Sequence, residues 1–570
     1  PLQYIEYSRY NQYLLLRNFP QLKGGNVVIS ECKDIISDLL IENCPQINPI
    51  ELLRSIITAQ SSSSAQVLKR IRAVGFDVVG SYEDLDTLAI IASGNYQGID
   101  PDGYAIDGLP VVEGTLSVEN AYQDSLDKIG VIYPNLKVTV TGYLYFRFAD
   151  PEVLRIIAEQ WGDGVGTTQR QIESVTNIGT VFQGNSLIKT FEEFEQFNGL
   201  KSIPDRAFKG SSIQKICIPS TVTEILGEAF EGCTSLDEVV GLTGNTSITF
   251  ISSTAFGSCK LSNLDLNLPS LIQLNGCAFQ FSSIKRVSNI GKVNEIGSDT
   301  WRECNNLEYV NLGGTVNKIG QFAFHICPNL KTVLGLENVR QIGYRAFYQC
   351  TSLIIDDLYL PKAETLSEAC LQGVRYRKIS SLGKITVVPV GLANYCEELE
   401  EVVLPETVIE IKGGAFRECL NLTKINIPQS VEIIGGYAFY KVPIESDIYL
   451  PNLKKLESFD AFNSTLIKSL NLPKVEYIAS NTFRNCLDLK TVDLGSYLTE
   501  LYGGAFANCR FLESVIIRSI TPPSGVSTDT FYATNNCPIY VPDASVEAYK
   551  TASGWNNYAT RIKPLSEFIE

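Results

Sequence analysis

The sequence predicts an α/β chain in which a right-handed solenoid of about 15 short coils follows a non-repetitive α/β N-terminal domain. Three observations predict it. An Ala-Phe pair or a close variant recurs from about residue 200 to 530, marked by Phe208, Phe230, Phe256, Phe279, Trp301, Phe324, Phe347, Cys370, Ala393, Phe416, Phe439, Phe462, Phe483, Phe506 and Phe531. Most steps between markers are 23 residues. Apolar residues and prolines stand at fixed offsets from each marker, so every coil is a version of one unit.

The offsets say how a coil is built. In Leu422-Thr423-Lys424-Ile425-Asn426-Ile427-Pro428, two apolar residues flank a polar one, the pattern of a short strand with one face inward. Pro428 ends it, and Pro219, Pro269, Pro361, Pro405, Pro451 and Pro473 occupy the same offset, where a residue without an N–H leaves the ladder harmlessly. Val431 and Ile434 begin the return side. Small or polar residues before the Ala-Phe pair permit the turn, and the ring fills the interior. A period of roughly 20 to 29 residues with these offsets marks a leucine-rich-repeat solenoid, whose coils bury their apolar side only by stacking on neighbours.

The same residues resemble the BspA-type, or Treponema-type, bacterial leucine-rich repeat. Its consensus runs from an Ala-Phe pair through Cys and Leu to a strand closed by Pro, as Ala415-Phe416, Cys419, Leu422 and Pro428 do here. The resemblance implies a non-enzymatic, adhesin-like protein of the cell surface or extracellular space that binds a protein or glycan partner, host matrix among them. Divided on this basis, the chain has an α/β domain at 1–148, a helical linker and cap at 149–200, repeats at 201–531 and a C-terminal cap at 532–570.

Composition narrows the partners. A formal net charge of −16 argues against a phosphate backbone, because nucleic-acid binding needs a basic stripe to displace counterions. No apolar run reaches the length of a membrane span, and the N-terminal residues carry no signal peptide, as expected of a trimmed or mature chain. The sequence contains no Met, and the steps of 22 and 21 residues at Phe279–Trp301 and Phe462–Phe483 are where lost methionines would fall; an intact mass of 62.9 kDa tests that reading.

Fifteen cysteines invite a disulfide or zinc reading. Nine of them, including Cys233, Cys259, Cys304, Cys350, Cys419 and Cys509, lie three residues after a marker and form one repeat position rather than pairs. No C-x-x-C occurs, so zinc-ligand spacing is missing. A column of buried free thiols used as small apolar filler is expected, with disulfides between coils as the alternative.

In the first domain, Asn26-Val27-Val28-Ile29 and Asp38-Leu39-Leu40-Ile41 read as strands, and Pro49 to Gln60 as a helix. Ala65 to Val74 reads as a second helix stopped by Gly75, and Ser81 with Asp84 as a capping box for a third, through Ala92. A strand at 114–118, a helix from Asn120 to Ile129 stopped by Gly130, and a strand from Leu136 to Thr141 outline a βαβ unit, in effect an enlarged, degenerate coil. Asp150-Pro151 starts a helix carrying Val153, Leu154, Ile157 and Trp161. The segment Trp161 to Thr167 resembles a region that in related proteins carries a calcium loop; with only Asp163 left among the needed carboxylates, a structural turn is expected. Thr168 with Gln171 and Thr190 with Glu193 read as capping boxes. The second opens a short helix whose Phe191, Phe194 and Phe197 cover the first coil, while Ile539 to Val541, a helix to Ala552, Trp555 and Ile562 close the other end.

No cofactor or metal is expected. The one histidine, His325, reads as a solvated variable position, and no nucleophile or nucleotide motif supports it. Asp100, Asp102 and Asp107 make the densest acidic cluster, for which turn chemistry competes with a hydrolytic or cation site. The candidate surface is the strand face, one outward residue per coil: Asp265, Ser288, Asn311, Leu334, Tyr359, Val403, Asn426, Tyr449, Asn471, Asp493 and Ile516. Asp265, Asn311, Tyr359, Asn426, Tyr449, Asn471 and Asp493 are its expected ligand-binding members, against the plainer reading of a solvated sheet face. A single chain acting as a monomer is expected. Two other readings compete: an N-terminal hydrolase or carbohydrate-binding module with the solenoid as targeting arm, and a structural component of a larger assembly.

Overall fold

The computed structural model describes residues 4–8, 13–17, 38–42, 44, 48–61, 70–92 and 111–569. The expected strand at 26–29 and the acidic cluster at 100–107 lie outside them. The chain divides into two compact units: Pro1–Val175 with Gln196–Gly199, and Thr176–Glu195 with Leu200–Glu570.

The first unit holds a six-stranded sheet. Its strands are β1 (Tyr4–Ser8), β2 (Tyr13–Arg17), β3 (Asp38–Glu42), β4 (Arg70–Gly80), β5 (Val111–Val118) and, after the short β6 (Ala121–Tyr122), β7 (Leu136–Val140). β1 and β2 are antiparallel, and every later pair is parallel. Helices α1 (Pro49–Ser61), α2 (Tyr82–Ala92) and α3 (Gln123–Ile132) make the crossovers and pack side by side. Neighbouring strands follow chain order, so this sheet is wound like a solenoid with wide coils. Phe76, Leu85, Leu88, Leu116 and Ile129 form its core.

Two local expectations are corrected. Residues 70–74 are strand, not helix: β4 continues to Gly80, and the register with β5 shifts between Val74 and Phe76. Gly75 therefore marks a bulge, the other use of a glycine inside an apolar run, rather than a helix stop. Gly130 does not end α3, which runs to Ile132 because Ile129 and Tyr133 are both buried on the sheet side. At α2 the capping box is half formed: the Ser81 N–H donates to the Asp84 carboxylate at 2.9 Å, while the Ser81 hydroxyl donates to Glu83. The helix at Pro151–Trp161 has its Asp150 cap, and Thr168 with Gln171 forms a complete capping box. Asp163 accepts from the Tyr145 hydroxyl and from the N–H groups of Val165 and Gly166, a carboxylate used to hold a turn.

The second unit is the solenoid. Most coils supply a strand of three or four residues, lengthened to six at Ile354–Tyr359 and seven at Arg375–Ser381, to one set of parallel ribbons and a two-residue strand, such as Glu224–Ile225 or Glu410–Ile411, to another. The strand at Lys424–Asn426 pairs with Glu401–Val403 in the expected register. The marker rings stack in parallel through the interior, with Phe324 and Phe347 at 4.8 Å and Phe416 and Phe439 at 5.6 Å between centroids. The residue two before the marker lies in the left-handed region in most coils whatever its side chain, as with Glu228 (φ 55°), Phe322 (φ 55°) and Tyr437 (φ 57°). Its N–H is thereby turned to a carbonyl of the next coil: Glu228 to Ser253, Phe322 to Tyr344, Tyr437 to Phe459. A hydrogen bond in an already dehydrated stack offsets the roughly 1 kcal/mol that this conformation costs a non-glycine residue.

The cysteine column does more than fill space. Cys233, Cys259, Cys304, Cys327, Cys350, Cys419, Cys486 and Cys509 each direct the thiol to the main-chain carbonyl of the marker residue one coil earlier, at 2.9–3.2 Å. Three of the coils without the cysteine carry a hydroxyl there: Ser211, Ser282 and Thr465 lie 3.2–3.5 Å from the thiol of the next coil. These Ser and Thr coils are the short ones that precede Phe230, Trp301 and Phe483, so their length follows from their own turn.

At the start, Phe182, Phe191 and Phe194 pack around Phe208. Thr190–Phe191 is a strand paired to Lys215–Cys217, followed by a 3-10 turn at Glu192–Gln196 in place of the expected helix. At the end, Trp555 lies beside Phe531, and Ile562–Pro564 adds one strand beyond Ile539–Val541.

Candidate functional site

The outward strand face is a column interrupted twice. Its strands fall into separate hydrogen-bonded ribbons, so Leu334 and Tyr359, and again Asn426 and Tyr449, are not ladder neighbours. Within the last ribbon Tyr449, Asn471, Asp493 and Ile516 stand in register. Two members are corrected. Asp265 pairs in register with Arg286 and sits before the inward Leu266, so the outward position of its coil is Asn267. Ile516 is buried, in register with Tyr540 of the added strand at Ile539–Val541.

Hydrogen bonding separates the expected ligand-binding residues into two groups. Asp265 pairs with Arg286 and accepts from the Ser288 N–H. Asn311 donates to the Ser288 carbonyl and accepts from Gly313. Asn426 takes both main-chain groups of Leu404, at 2.8 and 2.9 Å. Asp493 holds Arg518 through both oxygens. These four side chains lock neighbouring coils together. Tyr359 and Tyr449, each about half exposed, and Asn471 make no such bond among the described residues.

A second surface lies on the turn side, where residues next to the markers form their own columns. His325 is buried rather than solvated: it stacks on Tyr348 at 5.4 Å and meets the edge of Phe322 at 5.2 Å. Its Nδ1 has no hydrogen-bond partner among the described residues. Burial, reinforced by the charge of Arg302, holds its pKa below the ordinary histidine value. The guanidinium of Arg345 lies 5.0 Å from the rings of both Tyr344 and Tyr348, and among the described residues it forms no ion pair. Farther along, Arg417 sits among Tyr395, Tyr437 and Tyr440 at 5.0–5.7 Å, with Glu418 at 3.7 Å. Between the two clusters is a depression of about 640 Å³, lined by Tyr348, Gln349, Gln372, Arg375, Asn394 and Tyr395 among others. The strand reading missed this surface. The same column reading, applied one residue after the marker, gives Arg302, His325 and Tyr348 in successive coils and would have found it.

No group of three or more His, Cys, Asp or Glu side chains is arranged to hold a metal among the described residues. No described helix is long and apolar enough to cross a membrane.

Stacked parallel coils with an interior aromatic column and an outward strand face define a leucine-rich-repeat protein. The family model described as "BspA type Leucine rich repeat region (6 copies)" matches at residues 171–265, 239–354, 322–445, 386–513 and 454–548, well over half of the chain. The chain belongs to the BspA-type leucine-rich-repeat family. Among solved structures it is similar to a leucine-rich repeat protein from Bacteroides ovatus, at 20% identity over 56% of this chain and 82% of that one, with a TM-score of 0.33. A leucine-rich cell surface protein from Faecalibacterium prausnitzii matches at 21% identity over 63% and 86%, with a TM-score of 0.28. The pneumococcal vaccine antigen PcpA matches at 13% identity over 64% and 83%, with a TM-score of 0.30. No curated protein matches the sequence.

Proposed function

We propose that this chain is a non-enzymatic interaction protein of the cell surface or extracellular space that binds a protein or glycan partner through its solenoid. The observation that carries this reading is the division of labour on the strand face: Asp265, Asn311, Asn426 and Asp493 hold coils together, while Tyr359, Tyr449 and Asn471 are left outward with their polar groups unused among the described residues. Exposed tyrosines beside amides are the residue types enriched in recognition surfaces. Membership in the repeat family supports the same reading. The test is binding of the full chain to arrays of matrix proteins and glycans, beside a variant carrying Tyr359→Ala, Tyr449→Ala and Asn471→Ala. Binding lost in the variant supports the strand face; a wild-type chain that binds nothing on either array overturns the reading.

A further inference from the structure

The strand ribbon that ends at Thr332–Leu334 is broken for a reason visible in the sequence. From Leu307 to Val310 the inward positions of a coil are three residues apart, as in most coils, whereas from Leu353 to Leu358 they are five apart. The added residues lengthen the strand at Ile354–Tyr359, and the following coil matches it with Arg375–Ser381. The preceding coil does not. No main-chain hydrogen bond joins Thr332–Leu334 to Ile354–Tyr359. Almost every Cα–Cα distance between these two strands exceeds 8 Å, against about 4.8 Å for ladder neighbours and roughly 9.5 Å for strands with a third between them. The two strands stand apart as if one were missing.

The walls of this seam are open and apolar. Ile354 is 58% exposed and Leu334 46%, and Val333, at an inward position, is only partly buried. The main chain is unused as well. The Arg375 N–H donates to the Leu353 carbonyl, which turns the N–H and C=O groups of Ile355 and Asp357 toward Arg375–Ser381 and those of Ile354 and Asp356 toward the seam. None of the four seam-facing groups has a main-chain partner among the described residues. They recur every second residue, about 6.6 Å along the chain, which is the period of another extended main chain.

The charge of the occupant follows from the side chains of the same edge. Asp356 and Asp357 are exposed and form no ion pair among the described residues; Asp357 accepts only from the Ser380 N–H. The cations around them are taken: Lys331 pairs with Glu308, Arg375 with Glu398, Arg377 with Glu400 and Lys378 with Glu401. The edge therefore keeps two uncompensated negative charges, and a second copy of it would bring like charges face to face. Lysines or arginines alternating with apolar residues suit both the carboxylates and the walls formed by Val333, Leu334 and Ile354.

We propose that this seam is a strand-addition site for an extended basic segment of a protein partner, which pairs its main chain with Ile354 and Asp356 and its cations with Asp356 and Asp357. The proposal rests on the reading of the chain as an interaction protein and adds a site and a partner chemistry to it.

The experiment is calorimetric titration of the full chain with three blocked hexapeptides: one of alternating lysine and valine, its counterpart with glutamate for lysine, and the lysine peptide N-methylated at its valines. The lysine peptide is expected to bind about tenfold more tightly than either of the others, since one lacks the charge match and the other the main-chain donors. Ile354→Pro removes a seam-facing N–H without touching the ladder to Arg375–Ser381, and should weaken the lysine peptide about fivefold. Asp356→Lys should reverse the preference between the lysine and glutamate peptides. Thermal unfolding checks that both variants fold, and the methylated peptide on the wild type needs no variant at all. Equal binding of the three peptides, a preference untouched by Asp356→Lys, or no binding of the lysine peptide would overturn the proposal. Self-association in sedimentation that Ile354→Pro abolishes would assign the edge to a second copy and overturn it too. A wild type that binds a protein or glycan on the arrays but not the lysine peptide removes the seam and leaves the interaction reading standing.

Discussion

Tyr376 donates its phenolic hydrogen to the main-chain carbonyl of Leu392, one coil further along and next to the small marker Ala393. The stack of marker rings is broken at Cys370 and Ala393, and the fully buried Tyr376, which belongs to a strand rather than a turn, brings an aromatic ring into that part of the interior. Its carbonyl in turn accepts from the Cys396 thiol. Tyr376→Phe should therefore cost about 1–2 kcal/mol by leaving the Leu392 carbonyl without its partner, and Tyr376→Ala about 3–5 kcal/mol by opening a cavity. Chemical denaturation monitored by circular dichroism checks both, and equal effects of the two variants would contradict the assignment.

The regular part of the stack predicts a different pattern. Phe416 and Phe439 are fully buried and parallel, and each coil is supported only by its neighbours. Phe439→Ala is expected to cost about 3–5 kcal/mol, and to do so locally. Hydrogen exchange should show protection lost in the coils around 416–462 and retained near Phe506, whereas uniform loss would mean that the solenoid unfolds as one block.

The contrast between these two places shows what could be read from the sequence. The coil, its strand, its proline and its interior ring were legible because each is repeated, and a pattern repeated in successive coils outweighs local ambiguity. Tyr376 was not, since it compensates a break in the pattern from another offset. Residues 70–80 were read partly as helix because Gly75 fits a helix stop as well as a bulge, and only the partner strand distinguishes the two. On the strand face the outward direction was legible, but whether Asn426 faces a ligand or Leu404 depends on a main-chain group one coil away. His325 was misplaced because burial at a turn is set by Phe322 and Tyr348, neither of which an isolated histidine reveals.

The thiol column predicts silent chemistry. Burial pushes Cys304 up to about 12 and raises Cys233 and Cys396 as well, so the reactive thiolate is suppressed at neutral pH. Ellman's reagent on the native chain should react slowly with Cys233, Cys304 and Cys396, and with all fifteen cysteines after denaturation. Cys350→Ser keeps a donor to the Phe324 carbonyl and should be tolerated better than Cys350→Ala, by about 0.5–1.5 kcal/mol. Ala equal to Ser would mean that the column is filler alone.

His325 is the only histidine, so its titration can be followed without assignment by the imidazole resonances. Facing it are Phe322, Tyr348, Arg302, Arg345, Glu303 and Asp299, with the ring buried between the two aromatics. Burial and the two arginines disfavour the imidazolium, while the two carboxylates oppose them, and the net shift is downward. The midpoint should therefore fall below the ordinary value of about 6.5. Because the folded chain binds this proton less readily than the unfolded chain, the stabilisation is fully present above that ordinary value and is lost as pH falls through the lower folded midpoint. His325→Gln, which carries no titrating group, should lose less thermal stability than the wild type between pH 7.5 and 5. A midpoint at or above the ordinary value in the free chain would show that the ring is solvated, and would return His325 to the variable surface position that its sequence neighbours suggest.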